Sequence, residues 1–128
     1  MKLEDNNRGK VQELRDKKTG VATKPDSLGK DKKGKPIIHD HKHFSKGKQV
    51  QNRSPQMKAQ QNIAKDKNGR HVVTMSSSKP SLNGNPPKPR PSGPLAKKSE
   101  VYYTDKDGNV THQWKKDKET GKGYWDQI

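Results

Sequence analysis

Six prolines and two glycines crowd residues 79–94, "KPSLNGNPPKPRPSGP". Proline fixes φ and has no amide hydrogen to donate, so neither a helix nor a central strand is expected to run through this stretch. The chain is therefore read as a body of residues 1–78, a Pro/Gly-rich basic linker or loop over 79–98, and a C-terminal segment of residues 99–128 packing on that body.

Little material is available for a core on either side. Only 23% of the 128 residues are apolar, against 34% charged, and the mean hydropathy is -1.49. That composition lies close to that of disordered chains, which cannot offset chain entropy by burial. A largely disordered, non-enzymatic nucleic-acid-binding protein is accordingly one reading. Lysine and arginine outnumber aspartate and glutamate 29 to 14, for a net charge of +15 spread along the chain. Such an excess favours a polyanion: each phosphate neutralised releases condensed counterions, and nucleic acid is the expected partner. On this view the proline-rich stretch is either a flexible linker or a basic loop crossing a nucleic-acid groove. No amphipathic helix offers the apolar face that membrane-surface binding needs, so no membrane partner is expected. The chain has no cysteine, which excludes disulfides, zinc ribbons and thiol catalysis. "MKLEDNNRGK" lacks the apolar run of a signal peptide, so export would depend on a longer polypeptide or a separate machine.

Periodicity supplies an element order. Val11 and Leu14 suggest a short helix ending at Thr19-Gly20. "VATKPD" and "KPIIHDHKHF" read as two strands joined through Ser27, Gly29, Asp31 and Gly34. Ser54 as N-cap, Pro55 at the first helical position and an apolar face of Met57, Ala59, Ile63 and Ala64 predict a helix closing at Asn68-Gly69. "RHVVTMSS" is β-branched and reads as a strand. Beyond the prolines, "EVYYT", "NVTHQWKK" and "KGYWDQI" predict a small antiparallel meander. Its Tyr102, Tyr103, Trp114, Tyr124 and Trp125 are expected mainly as core, with base stacking as the alternative. "DKKTG", "DKKGK", "DKNGR", "DKDGN" and "DKETG" recur as the favoured turn.

On a strand over residues 36–44, Asp40 and Lys42 share one face, and His39, His41 and His43 the other. Pro25-Asp26 lies upstream of Asp40-His41-Lys42, and together these residues resemble the PD-(D/E)XK motif of restriction-endonuclease-like nucleases. The resemblance covers residues 8–77. It implies an α/β fold, a small mixed central sheet with flanking helices, followed here by the short meander. It also implies a metal-dependent endonuclease in which Asp26 and Asp40 hold Mg²⁺ or Mn²⁺, with Zn²⁺ the less suitable ion. Glu13 matches the acid of the preceding helix, Lys42 would orient the attacking water or stabilise the phosphorane, and Gln56 would position water or phosphate. Small basic modules of this kind resemble the C-terminal toxin domains of polymorphic and contact-dependent bacterial toxins. That implies delivery within a larger toxin, action in the target-cell cytoplasm, and neutralisation by an acidic immunity protein. DNA is preferred over RNA or tRNA as the substrate.

The opposite face keeps a second reading open. Asp40-His41 also looks like the aspartate-histidine pair of His-Me finger (HNH) nucleases, with His41 as general base and His71 or Asn62 as its distal partner. The three histidines spread over about 13 Å along a strand, so a zinc ion would use two of them at most.

Overall fold

The computed structural model describes residues 12–128. The described residues form two compact units, one of residues 12–41 and Arg53–Val72, the other of Lys42–Asn52 and Val73–Ile128.

Over residues 14–23 the described part of the first unit forms a hairpin, not the expected helix. β1 (Leu14–Arg15) pairs antiparallel with β2 (Ala22–Thr23) around "DKKTG". Turn chemistry decides this. The Asp16 carboxylate accepts from Thr19 Oγ1 at 2.6 Å and from the Lys18 amide at 3.1 Å, while Gly20 takes a φ of +73° that other residues resist. Val11 lies outside the described residues. β3 (Ser27–Lys30) then pairs antiparallel with β4 (Pro36–Phe44), with Ser27 opposite His39 and Lys30 opposite Pro36. The turn between them is held by Asp31 Oδ1, which accepts from the amides of Lys33 and Lys35, both at 2.9 Å. Ser27 and Gly29, expected in the loop, belong to β3.

α1 (Pro55–Asp66) forms where expected. Ser54 Oγ caps it by accepting from the Met57 amide at 3.2 Å, and Asn68, at a φ of +53°, ends it. Ile63 and Ala64 pack with Ile38, Leu14 and Leu28 in a small core. β6 (Arg70–Ser77) follows. Pro36, at the start of β4, abuts Gly69 at the start of β6, and the Ser78 amide donates to the Phe44 carbonyl at their far ends. The two strands therefore run parallel, with α1 as their crossover.

In the second unit, β5 (Val50–Gln51) pairs parallel with β7 (Arg90–Pro91), and α2 (Gly93–Lys98) buries Leu95 completely. β8 (Glu100–Thr104), β9 (Val110–Lys116) and β10 (Gly123–Gln127) make the antiparallel meander. The proline-rich stretch is more ordered than its composition predicts. Besides β7 and part of α2 it carries a bridge between Ser81 and Lys88, and the Pro89 carbonyl accepts from the Trp125 indole at 2.7 Å. Tyr102, Tyr103 and Trp125 are buried, whereas Trp114 is half-buried and Tyr124 exposed.

The chain is thus mixed α/β, with a six-stranded sheet in the order β10-β9-β8-β6-β4-β3. Helices are fewer than a sheet with flanking helices implies: the described residues hold two, of 12 and 6 residues.

Candidate active site

The β3–β4 register builds the site. Ser27 lies opposite His39, so Asp26, in the bend just before β3, comes against Asp40. The Asp26 amide donates to Asp40 Oδ1 at 3.3 Å, and Asp26 Oδ2 accepts from the His41 amide at 2.7 Å. Burial raises the pKa of Asp40, and the neighbouring Asp26 carboxyl raises it further, to about 7.

Asp40 faces a cavity of about 410 Å³ that Glu13, Thr23, Lys24, Gln56 and Gln60 also line. Gln60 is the hinge of the arrangement and is only 1% exposed. Its amide nitrogen donates to Thr23 Oγ1 at 2.9 Å, its side chain bonds Asp40, and its oxygen meets His71 Nε2 at 2.7 Å. Burial, aided by the charge of His39, lowers the His71 pKa to about 4, so this imidazole is neutral at physiological pH.

The predicted residues divide accordingly. Glu13, Asp40 and Gln56 line one cavity, and Asp26 joins them through Asp40. Glu13 lies just before β1, outside any helix. Lys42 is not among the lining residues; its Nζ sits 5.8 Å from the centroid of the Phe44 ring, two positions further along β4. Lys24 and Gln60 line the cavity without having been singled out in the sequence. Gln60 had a signal: it follows Gln56 by one helical turn and so shares its face.

The histidines do not assemble. His39 bonds Ser27 Oγ at 2.8 Å, and His43 bonds Ser76 Oγ at 2.7 Å and Ser78 Oγ at 3.1 Å. The distal partners considered for His41 are engaged elsewhere, His71 with Gln60 and Asn62 with Asp16 Oδ2 at 2.9 Å. Among the described residues no group of three or more histidine, aspartate or glutamate side chains is gathered closely enough to hold an ion. The available donor set is the Asp26–Asp40 pair, with Glu13 on the same cavity wall as Asp40. Carboxylate oxygens are the donor type that hard divalent cations such as Mg²⁺ and Mn²⁺ favour. No helix among the described residues is long and apolar enough to cross a membrane. No protein-family model matches the chain, and no curated protein or solved structure is significantly similar to it.

Proposed function

We propose that the first unit carries a metal-dependent endonuclease centre that hydrolyses phosphodiester bonds. The observation that supports this reading is the meeting of Asp26 with Asp40, the latter on a cavity shared with Glu13, Lys24 and Gln56. The resemblance of Pro25-Asp26 and Asp40-His41-Lys42 to the PD-(D/E)XK motif points the same way.

A Mg²⁺ or Mn²⁺ ion held by Asp26 and Asp40 would acidify a water and neutralise charge on the phosphate. The chain's own groups do the rest. Gln56, at the mouth of α1, orients the attacking water, and Glu13 supplies a further acceptor for its hydrogens. The water oxygen bonds to phosphorus as the bond from phosphorus to one sugar oxygen breaks. The water's proton passes to Glu13 and on to solvent, and the leaving oxygen takes a proton from solvent. Lys24 holds the substrate phosphate at the cavity. The motif resemblance assigns its lysine to Lys42, which follows His41 directly in the chain.

The net charge of +15 supports a nucleic-acid substrate of either kind; between them, we put DNA before RNA or tRNA. Within the toxin resemblance the module is delivered as part of a larger chain and acts in the target-cell cytoplasm. An acidic immunity protein then neutralises it, with charge complementarity speeding the encounter. The test is incubation with plasmid DNA, total RNA and tRNA, in Mg²⁺ and in EDTA. Cleavage in Mg²⁺ alone is expected; salt-sensitive binding without cleavage of any of the three would leave a nucleic-acid-binding protein and end the enzyme reading.

A further inference from the structure

We propose that His71 is a positioning residue for this centre: by donating from Nε2 to the Gln60 oxygen, it fixes which end of the Gln60 amide faces Asp40. The inference rests on the reading of Asp40 as part of the hydrolytic site.

A glutamine amide is nearly symmetric in shape, so only its partners decide which end carries the oxygen. Gln60 has three partners around it: His71, Thr23 and Asp40. His71 is 4% exposed, and a neutral imidazole has one N–H to give. With that N–H on the Gln60 oxygen, both amide hydrogens are left for the Thr23 hydroxyl and the Asp40 carboxylate. The opposite orientation would set an oxygen against the carboxylate, acceptor against acceptor, and would turn Asp40 away or hold it protonated. His71 is not among the residues that line the cavity, and Gln60, which is, links it to the site. Gln60 and Asp40 line the same cavity.

Two variants of one position separate this role from packing. His71→Leu keeps apolar volume but removes the donor, while His71→Gln keeps an N–H near the place of Nε2. His71→Leu is expected to weaken Mn²⁺ binding by about tenfold or more, the scale of losing an outer hydrogen-bonding partner of a ligand, with kcat falling alongside and KM for plasmid unchanged. His71→Gln should restore both to within about threefold of the parent. Gln60→Glu, which fixes an oxygen toward Asp40 without changing shape, should reproduce the His71→Leu loss in kcat. In metal-free protein, ¹⁵N spectra should show His71 as the Nε2–H tautomer and a slowly exchanging Gln60 NH₂ pair that is lost in His71→Leu and regained in His71→Gln. An Nδ1–H tautomer, a Gln60 signal indifferent to His71→Leu, or equal losses in His71→Leu and His71→Gln would overturn the inference. If the tautomer and NH₂ signals are as expected but the parent protein neither binds Mn²⁺ nor cleaves, the reading of the centre is what falls, and the positioning role falls with it.

Discussion

In the first unit, polar side chains are buried as freely as apolar ones: Asp16, Thr23, Gln60, Gln61, Asn62 and His71 accompany Ile38, Met57 and Ile63. The second unit buries Phe44, Met75, Leu95, Val101 and an aromatic group. In that group Tyr103 meets His112 and Trp125 edge-on at 6.1 and 5.9 Å, and Trp125 meets Trp114 at 5.0 Å. Edge-to-face rings combine a large apolar area with favourable geometry, a direct route to stability. A buried polar network is no such route, because every member must be hydrogen-bonded merely to break even. Among the described residues the network is complete, with no buried side-chain nitrogen or oxygen lacking a partner. A chain so poor in apolar residues gains nothing in stability from this choice, which is the pattern of a site held in one arrangement.

The largest break in that contrast should come from the carboxylate pair. Asp40→Asn and Lys42→Ala are each expected to reduce plasmid cleavage on the order of a hundredfold or more, the scale of a lost electrostatic contact to the transition state. Far-UV dichroism and salt-sensitive DNA binding should stay as they are. If Lys24→Ala abolishes cleavage and Lys42→Ala does not, the lysine of the motif has been assigned to the wrong residue.

Trp125→Ala tests the other side. Removing a buried indole should cost about 3–5 kcal/mol in denaturant unfolding, since its ring contacts go together with its bond to Pro89. A loss below about 1 kcal/mol would mean that the aromatic group is not what holds the second unit.

Smaller, and specific in sign, is the dependence on pH. The folded state holds a proton on Asp40 up to about pH 7, against 3.8 for a free side chain, so this contribution to stability is full below 3.8 and lost as pH rises through 7. His71 acts in reverse: its folded pKa of about 4 lies below 6.5, so its contribution is full above 6.5 and lost as pH falls through 4. The two slopes oppose each other between pH 4 and 6.5 and mask one another in the parent protein. Asp40→Asn should therefore raise the melting temperature by several degrees at pH 8 and by almost nothing at pH 4. His71→Leu should show its most favourable difference from the parent at acid pH. Thermal melts across the range check both; a gain for Asp40→Asn that is the same at every pH would refute the proton account.

The smallest effect is expected at the ion pair of Lys115 with Asp126, 2.7 Å apart but nearly half exposed on both sides. Asp126→Asn should leave the unfolding midpoint unchanged within error, because solvent and salt screen such a pair.

Where a local signal sufficed, the sequence was a good guide. Ser54-Pro55 and Asn68-Gly69 mark the ends of α1, and the Asp107-Gly108 and Thr120-Gly121 turns mark the meander, because caps and turns depend on adjacent residues. The same logic explains the failure before Pro25. Two apolar residues three apart are weaker evidence than an aspartate, a threonine and a glycine spaced to make a turn, and the turn prevails at Asp16–Gly20. Asp26 and Asp40 were recognisable as a motif, yet only the strand register makes them neighbours. The histidine-rich face was misleading because the serines that satisfy His39 and His43 lie on other strands, Ser76 being 33 residues from His43. Lys42 is a matter of rotamer: its position on β4 was legible, its lean onto Phe44 was not.

Gly69 is a gauge for the whole arrangement. A methyl group at its Cα would stand 2.5 Å from the Pro36 carbonyl oxygen, which is main chain and has no alternative position. The spacing between the starts of β4 and β6 is therefore set to the width of a hydrogen atom. Asp40 is four residues beyond Pro36, and His71 two beyond Gly69, so the same gap sets the span that the Gln60 side chain must bridge. In a saturation library this position should tolerate nothing but glycine, although it makes no contact with any substrate.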